Sequence, residues 1–109
     1  MATISLTTIA EPYDAFGKRR VTFGQYTGPA SYLNGADDGD SFTPAEVGLG
    51  VIDLIVFENP VDTSNPQDMR AVTYNVSTSR VLWFVEAFTQ VTNATDLSTF
   101  SCRFMAIGR

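Results

Sequence analysis

The stretch AVTYNVSTSRVLWFVEAF, residues 71–88, shows the pattern that decides the fold. Its first half alternates between polar and apolar residues, with these apolar residues at every second position: Val72, Tyr74 and Val76. Its second half, Arg80–Phe88, is almost wholly apolar. The polar triplet Ser77-Thr78-Ser79 between the halves has the composition of a tight turn. Because a period of two is that of a β-strand, the stretch predicts a β-hairpin.

Most of the remaining chain carries the same signal. Four further segments are predicted strands: Thr3–Ile9, Arg19–Thr27, Val51–Glu58 and Thr99–Ile107. Val, Ile and Thr supply 28 of the 109 residues, whereas Lys and Glu, which are common on helices, occur once and four times. This composition favours strands. It predicts an all-β protein, an antiparallel β-sandwich or jelly-roll-like barrel of about six to eight strands.

One short helical turn interrupts the strands. Thr43 has the side chain of an N-cap, Pro44 suits the first helical position, and Glu46 completes a capping box. Gly48 then ends the turn. The segment from Asn59 to Gln67 contains two prolines and is predicted to be a loop.

The length allows one small domain. Residues 1–14 are predicted to form an N-terminal extended strand or arm, because Glu11-Pro12 separates them from the next strand. Residues 15–109 are predicted to form a single β-sandwich domain. The first ten residues lack the features of a signal peptide, which predicts a protein made in the cytoplasm.

Two strands carry more apolar side chains than a solvent-facing sheet needs. Val51–Glu58 is nearly continuous, so both of its faces are expected to be covered. In the last strand the core face is predicted to contain Phe100, Cys102, Phe104 and Ala106. Its opposite face has Arg103, Met105 and Ile107, which indicates either a sandwich interior or a subunit contact.

Charge and missing residue types exclude several functions. The 12 acidic and 7 basic side chains give a net charge of −5, the wrong sign for a dedicated nucleic-acid binder or for an anionic membrane. There is no histidine, so the commonest general base and zinc ligand is missing. No nucleophile–base pair stands out, and the prediction is a protein without enzymatic activity, cofactor or metal.

Two charged clusters are candidates for partner contact. The acidic run Asp37, Asp38 and Asp40 lacks the spacing of an EF-hand, so it is predicted to be a solvated loop or a patch facing a basic surface. The basic cluster includes Lys18 and Arg19, and its alternatives are a solvated edge or contact with an acidic surface.

Three segments resemble small head proteins of tailed bacteriophages, of the capsid decoration or cement type. They are Val21–Gly28 together with Ser41–Gly50, the loop Asn93–Ser98, and the C-terminal Arg103–Gly108. The resemblance implies a non-catalytic β-sandwich located on the outer capsid surface of the virion. It implies binding to the major capsid protein, self-association as a homotrimer, and no nucleic-acid or membrane partner.

The N-terminal arm is a further hypothesis within that resemblance, because an extended arm can add a strand to a neighbouring sheet edge. The complete set of candidate capsid or subunit-interface residues is Thr3, Ile4, Leu6, Ile9, Lys18, Arg19, Asp37, Asp38 and Asp40.

Two other functions remain open at this point. One is another phage virion component, such as a head–tail connector, a tail protein or a fibre-attachment domain. The other is a small ligand-binding or carbohydrate-binding β-sandwich, in which Trp83 and the tyrosines of the Tyr26–Tyr32 segment stack on sugars.

Overall fold

The computed structural model describes residues 3–12, 19–35, 38–86 and 89–109. Within them the chain forms ten strands and a 3-10 helix, Pro44–Val47. The strands are β1 (Thr3–Pro12), β2 (Arg20–Thr27), β3 (Asp40–Ser41), β4 (Ile52–Phe57), β5 (Val61–Asp62), β6 (Asn65–Met69), β7 (Ala71–Asn75), β8 (Arg80–Glu86), β9 (Thr89–Gln90) and β10 (Phe100–Gly108). No helix in these residues is long and apolar enough to cross a membrane.

The strands form two antiparallel sheets. In the first sheet β1 pairs with β2, and β2 pairs with one edge of β10. The other edge of β10 pairs with β4 through β10 residues 104–108 and with β5 through β10 residues 100–101. β6 then pairs with β5. In the second sheet β8 is central, with β7 on one side and β3 and β9 on the other. The predicted all-β antiparallel sandwich is confirmed.

Local predictions had mixed outcomes. The hairpin is confirmed, because β7 and β8 pair with Asn75 opposite Arg80. The helical turn is also confirmed: the Glu46 carboxylate accepts hydrogen bonds from the Thr43 N–H at 3.2 Å and hydroxyl at 3.1 Å, and Gly48 has φ 76°. The loop predicted at residues 59–67 is wrong, because β5 and the start of β6 lie there. Pairing of β5 with the first two residues of β10 overrides the prolines in this segment.

The core lies between the sheets and is rich in aromatic rings. Phe42 packs edge-on against Tyr26, Phe57, Tyr74 and Phe104, with ring centroids 5.4–5.7 Å apart. Edge-to-face pairs of this kind add stability beyond the area they bury. These contacts connect strands of both sheets, so the rings fix how the sheets are stacked.

Hydrogen bonds inside this core join the sheets as well. The Tyr26 hydroxyl donates to the Asp40 carboxylate at 2.7 Å and accepts from the indole N–H of Trp83 at 3.1 Å. The Tyr32 hydroxyl accepts from the backbone N–H of Trp83 at 2.9 Å. All three aromatic side chains are fully buried. Because buried polar groups are costly unless they are hydrogen-bonded, this network favours one arrangement of the sheets.

Candidate interaction surface

The outer face of the first sheet exposes a group of apolar side chains. Met105 on β10 lies directly between Phe23 on β2 and Val56 on β4, and the next row places Leu54 beside Ile107. Directly paired residues in antiparallel strands point to the same face. We call the four residues Phe23, Leu54, Val56 and Met105 the outer patch.

The outer patch is largely open to solvent. Phe23 is 45% exposed, Leu54 55% and Val56 50%, while Met105 is half-buried between its neighbours. A shallow groove of about 280 Å³ is lined by three of these side chains, Phe23, Val56 and Met105. Isolated apolar side chains are ordinary on a protein surface, but a contiguous group across three strands indicates an interaction site.

The expectation that both faces of Val51–Glu58 are covered is wrong for the isolated chain. Ile52 is buried, and Ile55 and Phe57 pack against the core, so one face of β4 is covered by the second sheet. The other face carries Leu54 and Val56, and nothing among the described residues covers them. The apolar sequence of β4 therefore exceeds what the fold of one chain requires.

A charged pair closes one end of the outer patch. The Arg103 guanidinium donates from Nε to Glu58 Oε1 at 2.9 Å and from Nη2 to Oε2 at 2.6 Å, and the Arg103 backbone N–H donates to Oε1 at 3.0 Å. These side-chain and backbone hydrogen bonds lower the pKa of Glu58 to about 2. The pair is exposed, and it presents both signs of charge without an excess of either.

A second set of ion pairs lies towards the opposite end of β4. The Arg19 Nε donates to Asp53 at 2.8 Å, and the Arg109 guanidinium lies 3.5 Å from the other oxygen of the same carboxylate. Arg19, predicted as an interface residue, therefore pairs within the chain and ties the start of β2 to β4. Lys18, its predicted companion, lies outside the described residues.

The predicted N-terminal arm is a strand of the first sheet in this structure. β1 pairs with β2 from Thr3 opposite Thr27 to Pro12 opposite Arg20, with two register shifts. Ile4 packs against the core. The side chains of Thr3, Leu6 and Ile9 lie outside the described part of the chain. The division into residues 1–14 and 15–109 stays a prediction.

The acidic run does not behave as one exposed cluster. Asp38 is exposed, and Asp37 lies outside the described residues. Asp40 is only 6% exposed and accepts the Tyr26 hydrogen bond. The prediction of a solvated loop is wrong for Asp40, because pairing of β3 with β8 draws it into the core. Its carboxylate is part of the fold, which removes it from the candidate interface.

The residues predicted for sugar stacking are also internal. Trp83, Tyr26 and Tyr32 are fully buried and make the hydrogen bonds described above, so none presents a ring to solvent. Cys102 is buried as predicted, and burial raises the pKa of its thiol to about 12. Among the described residues, no group of three or more Cys, Asp or Glu side chains is placed to hold a metal ion.

Sequence reasoning identified two strands of the outer patch but missed the third. The apolar outward face of β10 named Met105 as a possible subunit contact, and the nearly continuous apolar run of β4 predicted that both of its faces are covered. Phe23 gave no comparable signal, because it is an apolar residue in an alternating strand. Only the pairing of β2 and β4 on either side of β10 brings the three strands together.

Comparison of the chain with models of known protein families, with characterised proteins and with solved structures finds no significant match in any of the three.

Proposed function

We propose that this chain is a non-catalytic structural protein of a tailed-bacteriophage head. It attaches to the outer surface of the capsid shell and holds neighbouring major-capsid subunits together, which stabilises the head. The proposal starts from the resemblance of residues 21–28, 41–50, 93–98 and 103–108 to capsid decoration proteins. An all-β sandwich is the fold that this resemblance implies.

The observation that carries the proposal is the outer patch. A face with Phe23, Leu54 and Val56 open to solvent around a half-buried Met105 suits contact with protein, because its apolar centre gains from leaving water. The Arg103–Glu58 pair at its end supplies a polar rim. An apolar core with a polar rim is the usual anatomy of a protein–protein interface.

The states of Cys102 and Glu58 fit a role in assembly rather than catalysis. A nucleophilic cysteine needs exposure and a low pKa, whereas Cys102 is buried and its thiol pKa is raised to about 12. A general acid at neutral pH needs a raised carboxyl pKa, whereas that of Glu58 is lowered to about 2.

In a capsid role, weak individual contacts are sufficient for attachment. A shell offers many identical sites, so a protein that self-associates binds several of them at high effective concentration. Individually weak contacts then give firm attachment. The remaining predicted interface residues are proposed to contribute to shell binding: Thr3, Leu6, Ile9, Lys18, Asp37 and Asp38.

The test is the copy number of the chain in purified virions of the phage that encodes it. Quantitative mass spectrometry with isotope-labelled peptides gives the ratio of this chain to the major capsid protein. The proposal predicts a ratio of one or a simple fraction of it, with hundreds of copies per particle.

A few copies per particle would contradict the cement role and indicate a connector or tail protein instead. Absence from the virion would refute both structural roles. As a functional control, virions that lack the chain should release their DNA at lower temperature than virions to which the purified chain has been added back.

A further inference from the structure

We propose that the outer patch is covered by the outer patch of a second copy of this chain, so that two copies pack face to face through their first sheets. The inference rests on the proposed function in that it takes the outer patch to be an assembly surface. It assigns that surface to self-association, as a dimer in place of the homotrimer that the resemblance implies, and it leaves attachment to the shell to the other candidate residues. It adds the identity of the partner at that surface, and it concerns the isolated chain in solution.

The size of the face matches what a dimer needs. Four neighbouring strands, β1, β2, β10 and β4, span about 19 Å at about 4.8 Å per strand, and the eight residues of β2 extend about 27 Å. The flat footprint of this whole sheet face, of which the outer patch is the apolar part, is therefore at most about 500 Å² per copy, or about 1,000 Å² for two. That reaches the lower limit for a specific protein interface, and it predicts a dimer of modest stability.

The charge distribution favours a second copy as the occupant. Two chains with a net charge of −5 repel each other, so they associate best where neither presents excess negative charge. The Arg103–Glu58 pair beside the patch is neutral, and Asp53 at the other end of β4 is paired with two arginines. When two outer patches meet, no uncompensated carboxylate from these pairs is buried, and the acidic remainder stays in solvent.

The arrangement of side chains suits this packing as well. Two sheets that pack face to face interdigitate side chains from their facing surfaces, as the two sheets of one chain already do around Phe42. The flexible side chain of Met105 lies at the centre of the patch between Phe23 and Val56, where it can adjust to the opposing surface.

The test is sedimentation equilibrium of the purified full chain over a wide concentration range. The expected result is a rise in mass from 11.9 kDa to twice that value as concentration increases. Val56→Glu places a charge in the proposed contact and should keep the chain monomeric. The matched control is Val85→Glu, the same substitution at a 46% exposed valine on β8 of the second sheet, which should still dimerise.

Circular dichroism and urea unfolding show whether each variant is folded. If Val56→Glu does not fold, Leu54→Glu replaces it in the same comparison. A wild-type chain that stays monomeric at every concentration, or that forms a trimer, overturns the inference. So does a dimer that both substitutions preserve or both abolish. None of these results changes the virion copy number, so failure here is distinct from failure of the proposed function.

Discussion

Replacing Tyr26 by Phe tests the polar network that joins the two sheets. The substitution keeps the ring, and with it the contacts to Phe42 and Phe57 at centroid distances of 5.6 Å. It removes only the hydroxyl, which donates to Asp40 and accepts from Trp83. The buried carboxylate and the buried indole N–H each lose one hydrogen bond.

The size of the effect follows from these two bonds. A hydrogen bond to a carboxylate contributes about 1.5–3 kcal/mol to stability, and a neutral one about 1 kcal/mol. The free energy of unfolding should therefore fall by about 3 kcal/mol. For a domain of this size that lowers Tm by about 12 °C, and it is a large share of the roughly 5–15 kcal/mol that stabilises a typical domain.

Tyr74→Phe is the matched control. The Tyr74 hydroxyl donates to the backbone carbonyl of Phe42 at 2.8 Å in a partly exposed setting. Loss of this partly exposed hydroxyl, which also makes a hydrogen bond with the Ser79 side chain, should cost about 1 kcal/mol. Both variants are compared with wild type by urea unfolding at one low protein concentration, so that self-association contributes nothing.

A stabilising role for the Tyr26 hydroxyl is refuted if the free energy of unfolding of Tyr26→Phe lies within about 0.5 kcal/mol of wild type, or if the substitution costs no more than Tyr74→Phe. Either result would mean that the buried hydroxyl contributes little to the stacking of the two sheets. A change in the denaturant slope would instead indicate that the unfolded or native state had changed in compactness.

Three further predictions concern pH, packing and thiol chemistry. Glu58 has a pKa lowered from 4.5 to about 2, so its contribution to stability is present above pH 4.5 and is lost as pH falls towards 2. In urea unfolding, Glu58→Gln should therefore lose less stability than wild type over that pH range. The same dependence of stability on pH in both proteins would contradict this. Gly108→Ala should lower the free energy of unfolding by at least about 2 kcal/mol in thermal unfolding, because a Cβ there overlaps the backbone carbonyl of Val51. A near-neutral result would show that β4 can shift. Cys102 should resist a thiol reagent at pH 8 in the native chain and react fully in urea, since it is buried with a raised pKa; rapid native labelling would refute its placement.

Local patterns predicted most of the strands but not which strands pair with one another. The alternation in residues 71–76 and the turn at residues 77–79 are properties of neighbouring residues, so the hairpin was visible without a structure. The same holds for the capped turn at Thr43. The pairing of β5 with the start of β10 joins segments about 40 residues apart, and no local pattern encodes such a choice.

The candidate surface was predictable only in part for the same reason. The outward face of β10 was visibly apolar, which named Met105. Phe23 and Val56 flank Met105 because β2 and β4 are the strands that pair with β10 on either side of it. The position of β4 in the sheet depends in turn on where the sheet ends. The sequence predicted that Asp40 belongs to a solvated acidic run. The pairing of β3 with β8 instead places its side chain in the core.

The sequence by itself determined the all-β class, the hairpin, the capped turn and the apolar face of the last strand, because each depends on a short periodic pattern. The tertiary structure alone decided that Asp40 is buried, that Trp83 and its tyrosine partners are internal, and that four apolar side chains form one exposed patch. These outcomes depend on contacts between distant segments, and such contacts are selected by packing of the whole chain rather than by the order of neighbouring residues.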